Sequence, residues 1–140
     1  MADTLKRRPV YRNIHITQLP SYRLPPAGWV SILHRVSGAL LFLLMPFVIW
    51  LFDASVTSEA SYGQFTSVFQ AGIGVVPGWF VKLVALAMIW GYVQHFFGGL
   101  RHVWMDITNR VDLQFGRLSA LSVLALSAIL TIVLGVKLFF

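Results

Sequence analysis

Three long apolar stretches constrain this chain more than any other feature. They run over residues 29–52, 79–104 and 118–138. A helix needs roughly 20 apolar residues to cross the hydrocarbon of a bilayer, and each stretch is long enough. Inside lipid every backbone N–H and C=O must find a partner, so spans of this kind are expected to be α-helices. Composition agrees, because 57% of the 140 residues are hydrophobic and 11% charged, too few charges to cover a water-exposed surface. The expected fold is all-α integral membrane: three transmembrane helices over residues 29–140, after a polar N-terminal segment 1–28. Pro46 is expected to kink the first helix, which membrane helices tolerate. A short interfacial helix is expected in the first loop, around residues 62–70.

The charges orient the spans. Lys6, Arg7, Arg8, Arg12, Arg23 and Arg35 precede or enter the first span, and Arg101, Arg110 and Arg117 surround the end of the second. The loop 53–78 holds no Lys or Arg, only Asp53 and Glu59. The positive-inside rule therefore places the N-terminus and the second loop on the cytoplasmic side. Lys82 and Lys137 lie near outer helix ends, where long stems snorkel to the interface. The excess of 11 Lys or Arg over 5 Asp or Glu raises nucleic acid as a partner. The basic residues flank apolar spans and form no interleaved patch, so that reading is set aside. Absence of cysteine excludes disulfides, thiolate chemistry and Cys-ligated iron–sulfur clusters in this chain. The N-terminal segment lacks the apolar core of a signal peptide.

One stretch interrupts the apolar pattern: VQHFFGGLRHVWMD, residues 93–106. His95 and His102 are seven residues apart, almost two turns, so they share a helix face with His95 about 10 Å deeper. Gly91, Gly98 and Gly99 lie near the same face. Two readings stand. The glycines let another helix pack closely, with His95 hydrogen-bonded across the contact; or His95 beside bare backbone leaves a slot for a flat cofactor. Intramembrane ionisable groups are functional by default, and a heme needs an axial imidazole in an apolar slot. His95 and His102 cannot both ligate one iron, because axial ligands approach from opposite faces. By depth counting, neither His34 nor His102 is level with His95, and His15 precedes the membrane. A second axial ligand is therefore expected from another chain.

The first span carries SILHRVSG, residues 31–38. Ser31, His34 and Arg35 are three and four residues apart and share a face near the cytoplasmic end. Arg35 alone reads as an interfacial snorkelling arginine. Beside Ser31 and His34 it reads as a site for a carbonyl, carboxylate or propionate. The third span has Ser127, Thr131 and Gly135 at four-residue intervals, a small-residue packing stripe.

These two motifs, with RPV at residues 8–10, resemble the cytochrome b556 membrane-anchor subunits of succinate dehydrogenase. The pattern H-x3-G-x-R-H-x3-D is met by His95, Gly99, Arg101, His102 and Asp106. The resemblance covers the helix order and nearly the whole chain. It implies a heme b shared with a second small anchor subunit, His95 being this chain's axial ligand to the iron. It implies quinone-site roles for Ser31 and Arg35, with ubiquinone as substrate. His34, Arg35 and His102 become candidates for the heme propionate environment. Asp106 serves proton delivery or pairs with an arginine at the interface. A flavoprotein subunit and an iron–sulfur subunit are the implied soluble partners, and the chain is not catalytic alone. The rival readings are a fumarate reductase anchor running in reverse, and a proton-conducting or transport module without heme.

Overall fold

The computed structural model describes residues 15–140. Half of the expected N-terminal segment, residues 1–14 with the RPV at 8–10, lies outside the described residues. A 3₁₀ turn, Ile16–Ser21, leads into four helices: α1 Pro26–Val56, α2 Glu59–Gln70, α3 Gly78–Thr108 and α4 Leu113–Phe139. There is no strand among the described residues, and α1, α3 and α4 are each long and apolar enough to span a membrane. The fold is an all-α membrane fold.

The helices run past the predicted spans at both ends. At 31 residues, α1 is about 46 Å long, well beyond the roughly 30 Å of hydrocarbon. Backbone hydrogen bonding continues into polar interfacial turns, where hydropathy no longer reports it. Helix α1 begins where Pro25 and Pro26 preset the first turn. It is continuous through Pro46, whose missing N–H removes one hydrogen bond without ending the helix. Helix α2 starts three residues before the predicted position. Ser58 accepts from the Ser61 N–H at 3.1 Å and Ser61 Oγ accepts from the Ser58 N–H at 3.0 Å, a reciprocal cap.

Tight turns close the connections. Between α2 and α3, Ile73 and Val76 exchange two backbone hydrogen bonds of 2.9 Å. Gly72 enters that turn at φ +97°, against the Val76 carbonyl, which only glycine tolerates. Asn109 ends α3 in the left-handed region at φ 50°, and Asp112 Oδ1 accepts from the Phe115 N–H at 2.8 Å to start α4.

Helix α3 packs along both α1 and α4, α1 also touches α4, and α2 lies against α1 and α3. Val30, Ala120 and Val123 form the buried cluster where the three long helices meet, with Phe97 against them. Deeper in the α3–α4 seam, the expected small-residue stripe packs as read: Ser127 and Gly135 are buried, and Gly135 faces Leu86. Ser127 Oγ lies 2.6 Å from Oε1 of Gln94, a side chain only 1% exposed. Most large apolar side chains elsewhere face outward, including Phe42 and Leu43 at 75% exposure, as a lipid-facing surface requires.

Ser127→Ala should leave buried Gln94 without its partner and lower stability by about 1–2 kcal/mol. The double substitution Gln94→Leu with Ser127→Ala should lose less than Ser127→Ala alone, because no polar group then remains unpaired. Thermal unfolding of the purified protein in detergent checks both.

Candidate cofactor and quinone site

The site is built where α1 and α3 cross. His34 of α1 and His95 of α3 stack face to face, with ring centroids 4.1 Å apart and planes within 9°. His102, two turns along α3, meets His34 edge-on at 5.3 Å. Three of the histidines singled out in the sequence thus form one cluster.

Glycine makes this approach possible, reciprocally. A Cβ on Gly38 of α1 would lie 2.9 Å from His95 Cε1, and a Cβ on Gly98 of α3 would lie 2.9 Å from His34 Cδ2. Each imidazole therefore rests on the bare backbone of the opposite helix. Of the two readings of the glycines, close helix packing with His95 bonded across the contact is the one met. Gly98 and Gly99 do not hold open a slot for a flat cofactor; His34 fills that space, and Leu40 and Leu41 meet Gly91. His34 also meets His95 directly, although counting along each helix sets them at different levels; the stagger between α1 and α3 brings the two rings together.

The stacked pair still cannot sandwich an iron. Axial imidazoles point nitrogens at one metal from opposite sides, whereas these two turn their ring faces to each other. His95 Nδ1 lies 3.0 Å from the His34 backbone carbonyl and 3.4 Å from Ser37 Oγ. A carbonyl only accepts, so Nδ1 carries the proton and donates it. The lone pair then sits on Nε2, which makes no hydrogen bond among the described residues. Ser37 is fully buried and donates to the same His34 carbonyl at 2.9 Å. Ser37 and Gly38 thus position His95, and sequence reasoning passed over both. The signal was present, since the two small residues follow His34 by three and four positions.

The remaining residues are dispersed around this cluster. Ser31 is half-buried, one turn before the His34–Arg35 pair. Arg35 is exposed and makes no hydrogen bond or ion pair among the described residues. Asp106 is exposed one turn beyond His102, and the alternative in which it pairs with an arginine is not met among the described residues. His15 lies outside the site, its Nδ1 2.9 Å from Thr17 Oγ1. Arg101 faces away from the histidines: Nε donates to Ser119 Oγ at 3.0 Å and Nη2 to the Gly116 carbonyl at 3.2 Å, both on α4.

Residues 4–134 match the family described as succinate dehydrogenase/fumarate reductase transmembrane subunit. The chain is 32% identical over 130 residues to a succinate dehydrogenase cytochrome b556 subunit from Coxiella burnetii, covering 93% of this chain and 95% of the relative. It is 26% identical to the subunit of that name from Paracoccus denitrificans, covering 94% and 93% of the two chains. It is 29% identical to one from Rickettsia felis, covering 84% and 86%.

Gly98→Ala should force His34 off α3 and destabilise the protein by about 1–3 kcal/mol, as overpacking does. Gly63→Ala, with no atom within 4 Å of the new Cβ, should be neutral or stabilise by up to about 1 kcal/mol through helix propensity. Equal effects in thermal unfolding would mean that α1 and α3 do not approach this closely.

Proposed function

The chain belongs to the succinate dehydrogenase/fumarate reductase transmembrane subunit family, and on that footing we propose that it is a membrane anchor of succinate:ubiquinone oxidoreductase. In this reading it ligates heme b through His95 and forms part of the quinone-reduction site with Ser31 and Arg35. The succinate direction is favoured because the three relatives above carry that name. The N-terminus faces the cytoplasm at the inner membrane, where the flavoprotein and iron–sulfur subunits dock. The chain supplies no flavin or iron–sulfur chemistry and is not catalytic alone.

One observation carries the heme assignment: His95 Nδ1 lies 3.0 Å from the His34 carbonyl, an oxygen that can only accept. Metal-ligating histidines characteristically donate the other ring N–H to a carbonyl or carboxylate, which fixes the tautomer and leaves the remaining nitrogen to bind. His95 is half-buried; it would hold the heme from this chain, and a second anchor subunit would complete the site and supply a further ligand. Heme b, when bound, supplies a one-electron redox centre. His34, His102 and Arg35 provide donors and positive charge for its propionates.

Quinone reduction consumes two electrons and two protons. Ser31 supplies a hydroxyl that donates to a quinone carbonyl. The Arg35 guanidinium, free of competing acids among the described residues, stabilises negative charge as it develops on the quinone oxygen. In this reading Asp106, exposed one turn beyond His102, delivers protons from the aqueous side.

His95→Leu should abolish or strongly alter the reduced-minus-oxidised spectrum of the complex, while His102→Ala should retain an axially ligated heme. An unchanged bis-histidine spectrum in His95→Leu would remove the ligand assignment, and a wild-type complex with no heme spectrum would favour the proton-conducting reading. Ser31→Ala and Arg35→Leu should lower quinone reduction by about tenfold or more, the loss of one hydrogen bond to charge. Succinate oxidation by a soluble artificial acceptor should be spared. Arg35→Lys should recover only part of the loss, since an ammonium lacks the planar fork. Equal loss in both assays would place the defect in assembly instead.

A further inference from the structure

Arg101 occupies a position that the proposed redox site does not use. It precedes His102 by one residue, so it projects about 100° around α3 from the histidine face, toward α4. Its side chain is only 8% exposed. Its hydrogen bonds go to two neutral oxygens, Ser119 Oγ and the Gly116 carbonyl. These orient the guanidinium and leave its charge uncompensated, and no ion pair reaches it among the described residues. A buried charge without a counter-ion is costly enough to call for a partner.

Two cavities meet at this arginine. One, of about 460 Å³, lies where the start of α1, the end of α3 and the start of α4 converge, and is walled by Pro26, Arg101, Met105, Asp112, Gly116 and Arg117. It holds two guanidiniums against one carboxylate, and that carboxylate is engaged in capping Phe115. The N-terminus of α4 adds its own partial positive charge. The second cavity, of about 470 Å³, runs along the outer α3–α4 groove between Phe97, Leu100, Trp104, Val123 and Leu126, and Arg101 lines it too. A cationic chamber and an apolar groove thus share Arg101, which has no counter-ion among the described residues, in their walls.

We propose that this is a binding site for an anionic phospholipid: the phosphodiester sits against Arg101 and Arg117, and an acyl chain lies in the α3–α4 groove. The shape combines what neither a free anion nor a neutral lipid would need. A free anion has no use for the groove. A zwitterionic headgroup brings a cation into a chamber that is already positive.

The test uses the protein purified with its partner subunits, delipidated in detergent and exposed to equimolar phosphatidylglycerol and phosphatidylcholine. Native mass spectrometry should show phosphatidylglycerol retained over phosphatidylcholine by about tenfold, the scale of one charge-assisted hydrogen bond. Arg101→Gln should abolish the preference. Arg117→Gln, at an exposed residue whose loss leaves the α3–α4 bridge intact, should reduce it severalfold. Ser119→Ala, which removes a helix–helix hydrogen bond but no charge, should keep it. Equal retention of the two lipids, or a preference unchanged in both arginine variants, overturns the site. Displacement of phosphatidylglycerol by equimolar inorganic phosphate overturns the lipid assignment in favour of a free anion.

Discussion

The crossing of α1 and α3 depends on two glycines, and the rest of the candidate site depends on that crossing. Gly38 and Gly98 remove the side chains that would hold the helices apart, and each imidazole takes the space vacated on the other helix. At that separation the His34 carbonyl comes within hydrogen-bonding reach of His95 Nδ1. The backbone of one helix thereby sets the tautomer of a side chain on the other. A larger residue at either position would move the ring and break the hydrogen bond together, so packing and electronic preparation are one event here.

The polar groups of α3 are sorted by face. The histidines meet α1, whereas Gln94 and Arg101, each one residue before a histidine, turn toward α4 and bond to Ser127 and Ser119. Helix α3 can therefore carry several polar side chains through lipid without presenting them to it. Those turned toward α4 hold the bundle together, while the lone pair of His95 is left free of internal partners among the described residues. Among the described residues, Gln94 Nε2 is buried with no acceptor.

How much of this was legible in the sequence follows from what sequence patterns measure. The existence and order of the three long helices could be read, because lipid leaves an apolar stretch of that length little alternative to helix. Their ends could not be read from hydropathy, because α3 remains helical through Asp106 until Asn109 turns it. Asn109 and Asp112 were nonetheless readable as stop and start signals. The pairing of His34 with His95 was hidden for a different reason. Counting residues measures position along one helix, whereas the stagger between two helices is set by where small residues let them close. SILHRVSG contains that information at Ser37 and Gly38, whereas its evident chemistry lies in Ser31, His34 and Arg35. The glycines around His95 were noticed, yet the two readings they allowed could be separated only by seeing which side chain enters the gap.

The two sides of α3 also differ in the length of chain they close. The hydrogen bond from Arg101 to Ser119 spans 18 residues, across a turn of four. That from His95 to His34 spans 61. Loop-closure entropy rises with the logarithm of length, so the longer closure carries a penalty larger by about 1 kcal/mol. Closing the α1–α3 contact therefore costs more chain entropy than closing the α3–α4 hairpin, and the orientation of the His95 imidazole is set at the costlier of the two contacts.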